Sequence, residues 1–187
     1  VSHVGFSLLG IGMLTQTAIT GALMQMVSHG VMTALFFAVI GMVYDRTHTR
    51  MVADMGGLMK MMPFIATVFF IVGLCSLGLP GFSGFVAEMT VFMGSWQNDD
   101  AFHRIATIAA AMSIVVTAVY ILRATGKTMM GPVVNAEHLQ LGDAKWNEKL
   151  AAIILVAGIV AIGIAPGWLN DLLKPAAEEI MNRIAGK

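Results

Sequence analysis

The sequence predicts an all-α bundle of membrane-crossing helices, and three observations carry that prediction. The chain is 57% hydrophobic and only 12% charged, whereas a soluble globular domain carries about 25% charged residues. Long apolar runs fill residues 17–43, 64–96, 105–122 and 150–164, with polar stretches between them. Crossing a bilayer core of about 30 Å takes about 20 such residues as a helix. The longest run, residues 64–96, is interrupted near its middle by Leu79-Pro80-Gly81.

Several function classes fall away on composition. Eleven basic residues balance eleven acidic ones, so no basic surface for nucleic acid is indicated. Cys75 is the single cysteine; it allows no internal disulfide and no thiolate cluster for zinc or iron–sulfur. No glycine-rich phosphate loop or dinucleotide fingerprint is present. The expectation is a lipid-embedded chain with no metal and no cofactor of its own.

Taken in order, residues 1–14 are too short to span and read as the exit half of a helix that begins upstream. The chain starts at Val1, without methionine or a signal-peptide pattern, so a C-terminal piece of a longer membrane protein is expected. Residues 17–43 form a first full span, ending in the polar run Tyr44-Asp45-Arg46-Thr47-His48-Thr49-Arg50. Gly56-Gly57 makes a turn, and Lys60 and Pro63 precede the longest run. As one straight helix that run would measure about 50 Å. Pro80 lacks an N–H and clashes with the preceding turn, and Gly81 tolerates non-helical angles, so a helix broken at depth is predicted.

A polar loop at residues 97–100 leads to the span 105–122, flanked by Arg104 and Arg123. A longer polar connection follows, then the span 150–164, which stops at Pro166-Gly167. In residues 168–184, Leu169, Leu172, Leu173, Ala176, Ile180 and Ile184 recur at helical spacing. An amphipathic helix at the membrane interface is expected there, interrupted or restarted at Pro175. If each span crosses once, Arg46, Arg50, Lys60, Arg123, Lys127, Lys145 and Lys149 share one side. Arg104, Lys174, Arg183 and Lys187 share the other. The excess puts the first group in the cytoplasm and the C-terminus outside.

Three ionisable residues fall at membrane depth: Glu88, His29 and His3. A charge there is costly, at least about 2.5 kcal/mol on insertion scales, so such groups face the bundle or water. Gly21, Gln25, His29 and Thr33 recur every four residues and stack on one helical face. Gly84, one turn before Glu88, leaves room or close backbone contact beside the carboxylate. Ser113, Thr117 and Tyr120 form a weaker stripe. Imidazole exchanges a proton near neutral pH, so this set can carry protons along a file of waters. The bland alternatives stay open: a membrane histidine can merely bond a neighbouring helix, and Glu88 can be a static partner. Arg46, Arg50 and Lys60 read as solvated loop charges, and His48, His103 and His138 as exposed loop residues. Trp96, Trp146 and Trp168 fall at segment ends like interfacial anchors.

Four stretches, SHVGFSLLGI, QMVSHGVMTALFFAVIGMVYDRTHTR, MGGLMKMMPF and SLGLPGFSGFVAEMTVF, together resemble the C-terminal part of chain M of the NADH-quinone oxidoreductases of respiratory complex I. This antiporter-like family is related to the Mrp cation/proton antiporters and the membrane-bound hydrogenases. The resemblance covers the whole chain and is most specific over residues 1–96; the polar run after the first full span favours the M type. It implies the last five of fourteen transmembrane helices of a proton-pumping subunit. It also implies roles: His3 and His29 on a central hydrophilic axis, and Glu88 on the broken helix as final proton carrier near the outer exit. The family's earlier glutamate and lysines have no counterpart in this chain. Neighbouring membrane subunits are the implied partners, and the bacterial inner membrane the implied location.

Overall fold

The structure, a computed structural model, describes residues 2–184. Its helices are α1 (Ser2–Gly12), α2 (Gln16–Thr47), α3 (Pro63–Ser76), α4 (Ser83–Trp96), α5 (Ala101–Met129), α6 (Trp146–Ile164) and α7 (Gly167–Ile184). Short 3-10 turns stand at Val52–Asp54, Leu58–Lys60 and Ala136–Gln140. Three helices, α2, α5 and α6, are long and apolar enough to cross a membrane. The run 64–96 is divided between α3 and α4, which have 14 residues each. Each of these measures about 21 Å, so only together do they traverse an apolar core.

Helices α1 and α2 are joined by a tight turn. Thr15 caps α2 by accepting from the Ala18 N–H at 3.2 Å. Its hydroxyl also donates to the Gly94 carbonyl at 2.9 Å, so one side chain starts α2 and ties it to the end of α4. Helix α2 runs through Thr47, past the expected end at residue 43. It closes where His48, at φ 52°, donates its N–H to the Tyr44 carbonyl.

Arg46 explains the extension, and it is not the solvated loop charge that was expected. Its guanidinium donates to the carbonyls of Met42 (2.8 Å), Gly142 (2.9 Å) and Asp143 (3.1 Å), and to Glu148 Oε2 (2.6 Å). The Asp143 carboxylate in turn accepts from the N–H groups of Phe64 (2.9 Å) and Ile65 (3.3 Å). It thereby caps α3, whose own N-cap residue, Met62, supplies no side-chain bond. One cation and one carboxylate thus gather α2, α3 and α6 at one end of the bundle. The loops after α2 and after α5 lie at this same end, where the Gly57 N–H also donates to the Met130 carbonyl.

Helix α5 overruns the expected span 105–122 in both directions. Asp100 caps its start by accepting from the His103 N–H at 3.0 Å. That bond, followed by the His103 imidazole, holds the Asp100 carboxyl below its ordinary value. Two of the three loop histidines expected to be exposed are not. His103 is half-buried on α5, and His138 is 4% exposed inside its 3-10 turn. Trp96, Trp146 and Trp168 each stand within a residue of a helix end and are at least half exposed.

Helix α7 passes through Pro175 without a break; the ring removes a single backbone bond on a face turned away from the bundle. Its packed stripe is Leu169, Leu173 and Ala177, and Leu172 is exposed. Leu169 and Leu173 pack with Met24 of α2 and Ala87 of α4, and Glu178 accepts from Gln16 Nε2 at 2.9 Å. The helix therefore runs back along the first part of α2, its apolar stripe satisfied by protein.

The main core joins α2, α3 and α6 through Leu35, Val39, Ile65, Val72 and Ile159, none of them exposed. The seam between α2 and α4 is built differently, on small residues. A Cβ on Gly21 would lie 2.6 Å from the Val91 nitrogen, and one on Gly94 would strike the backbone of Ala18. Gly94→Ala is therefore expected to destabilise the membrane-embedded protein by about 1–3 kcal/mol. Gly30→Ala, where nothing lies within 4 Å, is expected to be neutral or mildly stabilising. Thermal unfolding midpoints in detergent compare the two.

Candidate functional site

Helix α3 stops at Ser76 and α4 starts at Ser83, so the unwound turn occupies residues 77–82. Gly78 and Gly81 both take positive φ, at 65° and 98°. Leu79 and Pro80 are exposed. Glu88 lies in the second turn of α4 and is 4% exposed. Its side chain reaches back toward the unwound turn.

The two carboxylate oxygens of Glu88 meet different surroundings. Oε1 is 3.6 Å from His3 Nδ1. Oε2 lies against Gly78, where a Cβ would be only 2.5 Å away. The His3 ring, 8% exposed, is held from both edges. Ser76 Oγ hydrogen-bonds with its Nε2 at 3.0 Å, and the Gln25 carboxamide donates to Nδ1 at 3.4 Å. An amide NH2 can only donate, so this contact goes with a lone pair on Nδ1; turning the carboxamide over would offer Oε1 and goes with a proton on Nδ1. Nδ1 also faces Glu88 Oε1, so one proton on it makes the difference between repulsion and a charge-assisted bond.

His29 stands beside this pair. Its ring centroid is 5.5 Å from that of His3, at 30° between planes, and Thr33 Oγ1 is 3.3 Å from its Nδ1. His29 and Thr33 are half-buried, whereas Gln25 is 1% exposed. The four-residue spacing along α2 thus delivers Gln25, His29 and Thr33 to one line running past His3. Gly21, the fourth member of that stripe, serves packing against α4. Gly84 does likewise: a Cβ there would lie 2.5 Å from the Cys75 carbonyl, so its smallness brings α4 against α3 and leaves the carboxylate to Gly78.

The stripe on α5 is not joined to this cluster. Ser113 returns its hydroxyl to the Ala110 carbonyl at 2.7 Å, and Tyr120 is 47% exposed. Thr117 donates to the Ser113 carbonyl at 3.3 Å and meets Ser2 of α1 with 3.4 Å between hydroxyls. All three line an open groove of about 700 Å³ between α1 and α5. Helix α5 has one polar side chain per turn on that line, but the line opens into the groove beside α1 while the helix packs mainly on α3 and α4. Among the described residues, no three His, Cys, Asp or Glu side chains converge with metal-binding spacing.

Sequence reasoning missed three serines. Ser76 ends α3 and meets His3. Ser28 Oγ donates to Ser83 Oγ at 2.7 Å, and Cys75 Sγ lies 3.7 Å from the same Ser83 oxygen. All are buried. The available signal was position: Ser76 and Ser83 bracket the break, and Ser28 precedes His29 on α2.

Depth along α2 follows from helix rise. Gln25 lies nine residues from Gln16 and 22 from Thr47. At 1.5 Å per residue these are about 14 Å and about 33 Å. The carboxylate is thus near the end of the bundle that carries the α1–α2 turn and α7, away from the Arg46 cluster.

The family described as NADH:quinone oxidoreductase/Mrp antiporter, TM, matches residues 1–113. The chain belongs to this family. It is 39% identical over 177 residues to NAD(P)H-quinone oxidoreductase chain 4 2 of Synechococcus sp. strain JA-3-3Ab, covering 92% of this chain and 33% of that protein. Against respiratory complex I from Thermus thermophilus with bound NADH, the TM-score is 0.85 at 27% identity. That match covers 96% of this chain and 37% of the solved one. The Mrp complex from Dietzia sp. DQ12-45-1b gives a TM-score of 0.83 at 20% identity, over 97% of this chain and 41% of that one, which shows a common fold. The chain spans about a third of the length of the curated relatives it matches. For this antiporter-family chain, the Leu79-Pro80-Gly81 break and the SHVGF and SHG stretches all fall inside the matched residues.

The buried hydroxyl pair makes a test independent of any activity. Ser28→Ala strands Ser83 Oγ beside a weak thiol partner and is expected to lower stability by about 1–3 kcal/mol. Adding Ser83→Ala should cost about nothing further, because the stranded group goes with it. A thermal-unfolding double-mutant cycle measures that coupling.

Proposed function

We propose that this chain forms the exit part of a proton path in a membrane subunit of a redox-driven NADH:quinone oxidoreductase. The observation that carries this reading is the facing pair, His3 Nδ1 and Glu88 Oε1, 3.6 Å apart and buried beside an unwound turn. Support comes from family membership and from the relatives, which are oxidoreductase chains.

The chemistry is a short relay. A proton reaching the imidazoles by way of His29 adds to Nδ1 of His3. The resulting imidazolium can no longer accept from the Gln25 amide. That amide turns to offer Oε1, which has no hydrogen-bond partner among the described residues. The new N–H then points at the carboxylate. Transfer breaks N–H, forms O–H on Glu88, and leaves two neutral groups. Water at the near end of the bundle takes the proton onward. Ser76 keeps the ring oriented throughout.

In this reading the chain binds no redox centre; electron transfer belongs to other subunits. Its partners are neighbouring antiporter-like membrane subunits and the lipid bilayer, and its location is the bacterial inner membrane. An Mrp-type sodium/proton antiporter is the second reading, favoured by the shared family description and by the fold match. A proton flux driven by a sodium gradient with no electron donor present would select it.

Glu88→Gln keeps the side chain's size and removes its proton exchange. In the assembled complex, reconstituted in vesicles, it is expected to reduce electron-coupled proton translocation at least tenfold while subunit assembly is unchanged. Full translocation by an assembled Glu88→Gln complex would refute the carrier role. Unchanged flux after substitution of both Glu88 and His29 would mark a purely structural subunit.

A further inference from the structure

We infer that Gly78 is a positioning residue for the Glu88 carboxyl: its missing side chain is the space in which Oε2 sits and through which the carboxyl turns. This rests on the reading of Glu88 as a proton carrier. The evidence is the different fate of the two oxygens. Oε1 faces His3, and Oε2 occupies the place a Cβ on residue 78 would claim, 2.5 Å from Oε2 and 3.3 Å from the carboxyl carbon.

Two properties of the unwound turn make this more than ordinary packing. Gly78 has φ 65°, which turns its Cα hydrogen, rather than a chain atom, toward the carboxylate. The atoms in the way are the end of one side chain, so a methyl at 78 displaces the carboxyl and spares the backbone. A carboxyl that receives a proton on Oε1 from His3 presents it elsewhere only by a half-turn about its last torsion. That exchange of oxygens sweeps the volume beside Gly78. A methyl there pushes Oε1 out of line with His3 and blocks the half-turn.

Gly81 supplies the control. It shares the positive φ, at 98°, but a Cβ on it meets nothing within 4 Å. Both substitutions to alanine carry the backbone strain of a left-handed residue; only one touches Glu88.

The test uses the full complex in vesicles, with translocation per electron and assembly measured together. Gly78→Ala is expected to lower translocation at least fivefold, and Gly81→Ala to stay within twofold of the parent. Glu88→Asp retracts the carboxyl by one methylene, so Gly78→Ala/Glu88→Asp should recover at least threefold over Gly78→Ala. Equal effects of the two glycine substitutions, or no recovery in the double variant, would overturn the inference. If Gly78→Ala fails to assemble, the double variant decides. Its assembly supports a clash with Glu88, and its failure assigns the defect to backbone strain and overturns the inference. A loss on Glu88→Gln with normal Gly78→Ala would remove only the positioning role, whereas normal Glu88→Gln would remove the carrier itself.

Discussion

Glu88 is a carboxyl group almost without solvent contact, placed where four chain segments converge: α1 through His3, α2 through Gln25 and His29, the end of α3, and the unwound turn. Such a group is tolerated among apolar helices only when its charge has a local answer. Here Nδ1 of His3 faces the carboxylate at 3.6 Å, and the other ring nitrogen is bonded to Ser76. Each neighbour is held by a further polar group, so the arrangement extends through Gln25 and His29 to Thr33. The helix break, set by Pro80 and Gly81, serves the same group. In the unwound turn Gly78 leaves the space that Oε2 occupies.

The bundle around it is organised to let backbones approach. Gly21 and Gly94 bring α2 and α4 within van der Waals reach of each other's main chain, and Gly84 does so between α4 and α3. In lipid the hydrophobic effect gives helices little reason to associate, so such close contacts and interhelical hydroxyl bonds carry more of the specificity. The Ser28–Ser83 bond, beside Cys75, lies at the level of the break and links its far side to α2. Ser83 is the first residue of α4, so the bond ties the start of that helix to α2.

The opposite end is closed by ordinary charge chemistry. Arg46 binds three carbonyls and Glu148, and Asp143 caps α3. Since α3 carries Ser76 at its other end, this cluster sets the height of the serine that orients His3. Both partners of the Arg46–Glu148 pair are largely shielded, so loss of either would leave an uncompensated charge. The two ends of the bundle are therefore chemically distinct: salt-bridged and capped at one, unwound beside a buried histidine–carboxylate pair toward the other.

Much of this was written along the chain. Composition and run length determined an all-helical membrane protein. A proline–glycine pair inside an overlong apolar run marked the broken helix. Four-residue spacing put Gln25, His29 and Thr33 on one face, because helix geometry is a local property that sequence periodicity reports directly. Residues such as Arg46 and His138 escaped that reading, since a polar residue in a loop carries no local sign of whether a distant segment covers it. The same holds for the α5 stripe, whose spacing was sound but which faces the groove beside α1. Only the tertiary structure decided that His3 and Glu88, 85 positions apart, face each other, that Ser76 orients the ring, and that Gly78 rather than Gly84 borders the carboxylate. Those are contacts between segments remote in sequence, chosen by which helix faces interlock, and no periodicity within one helix encodes its partner.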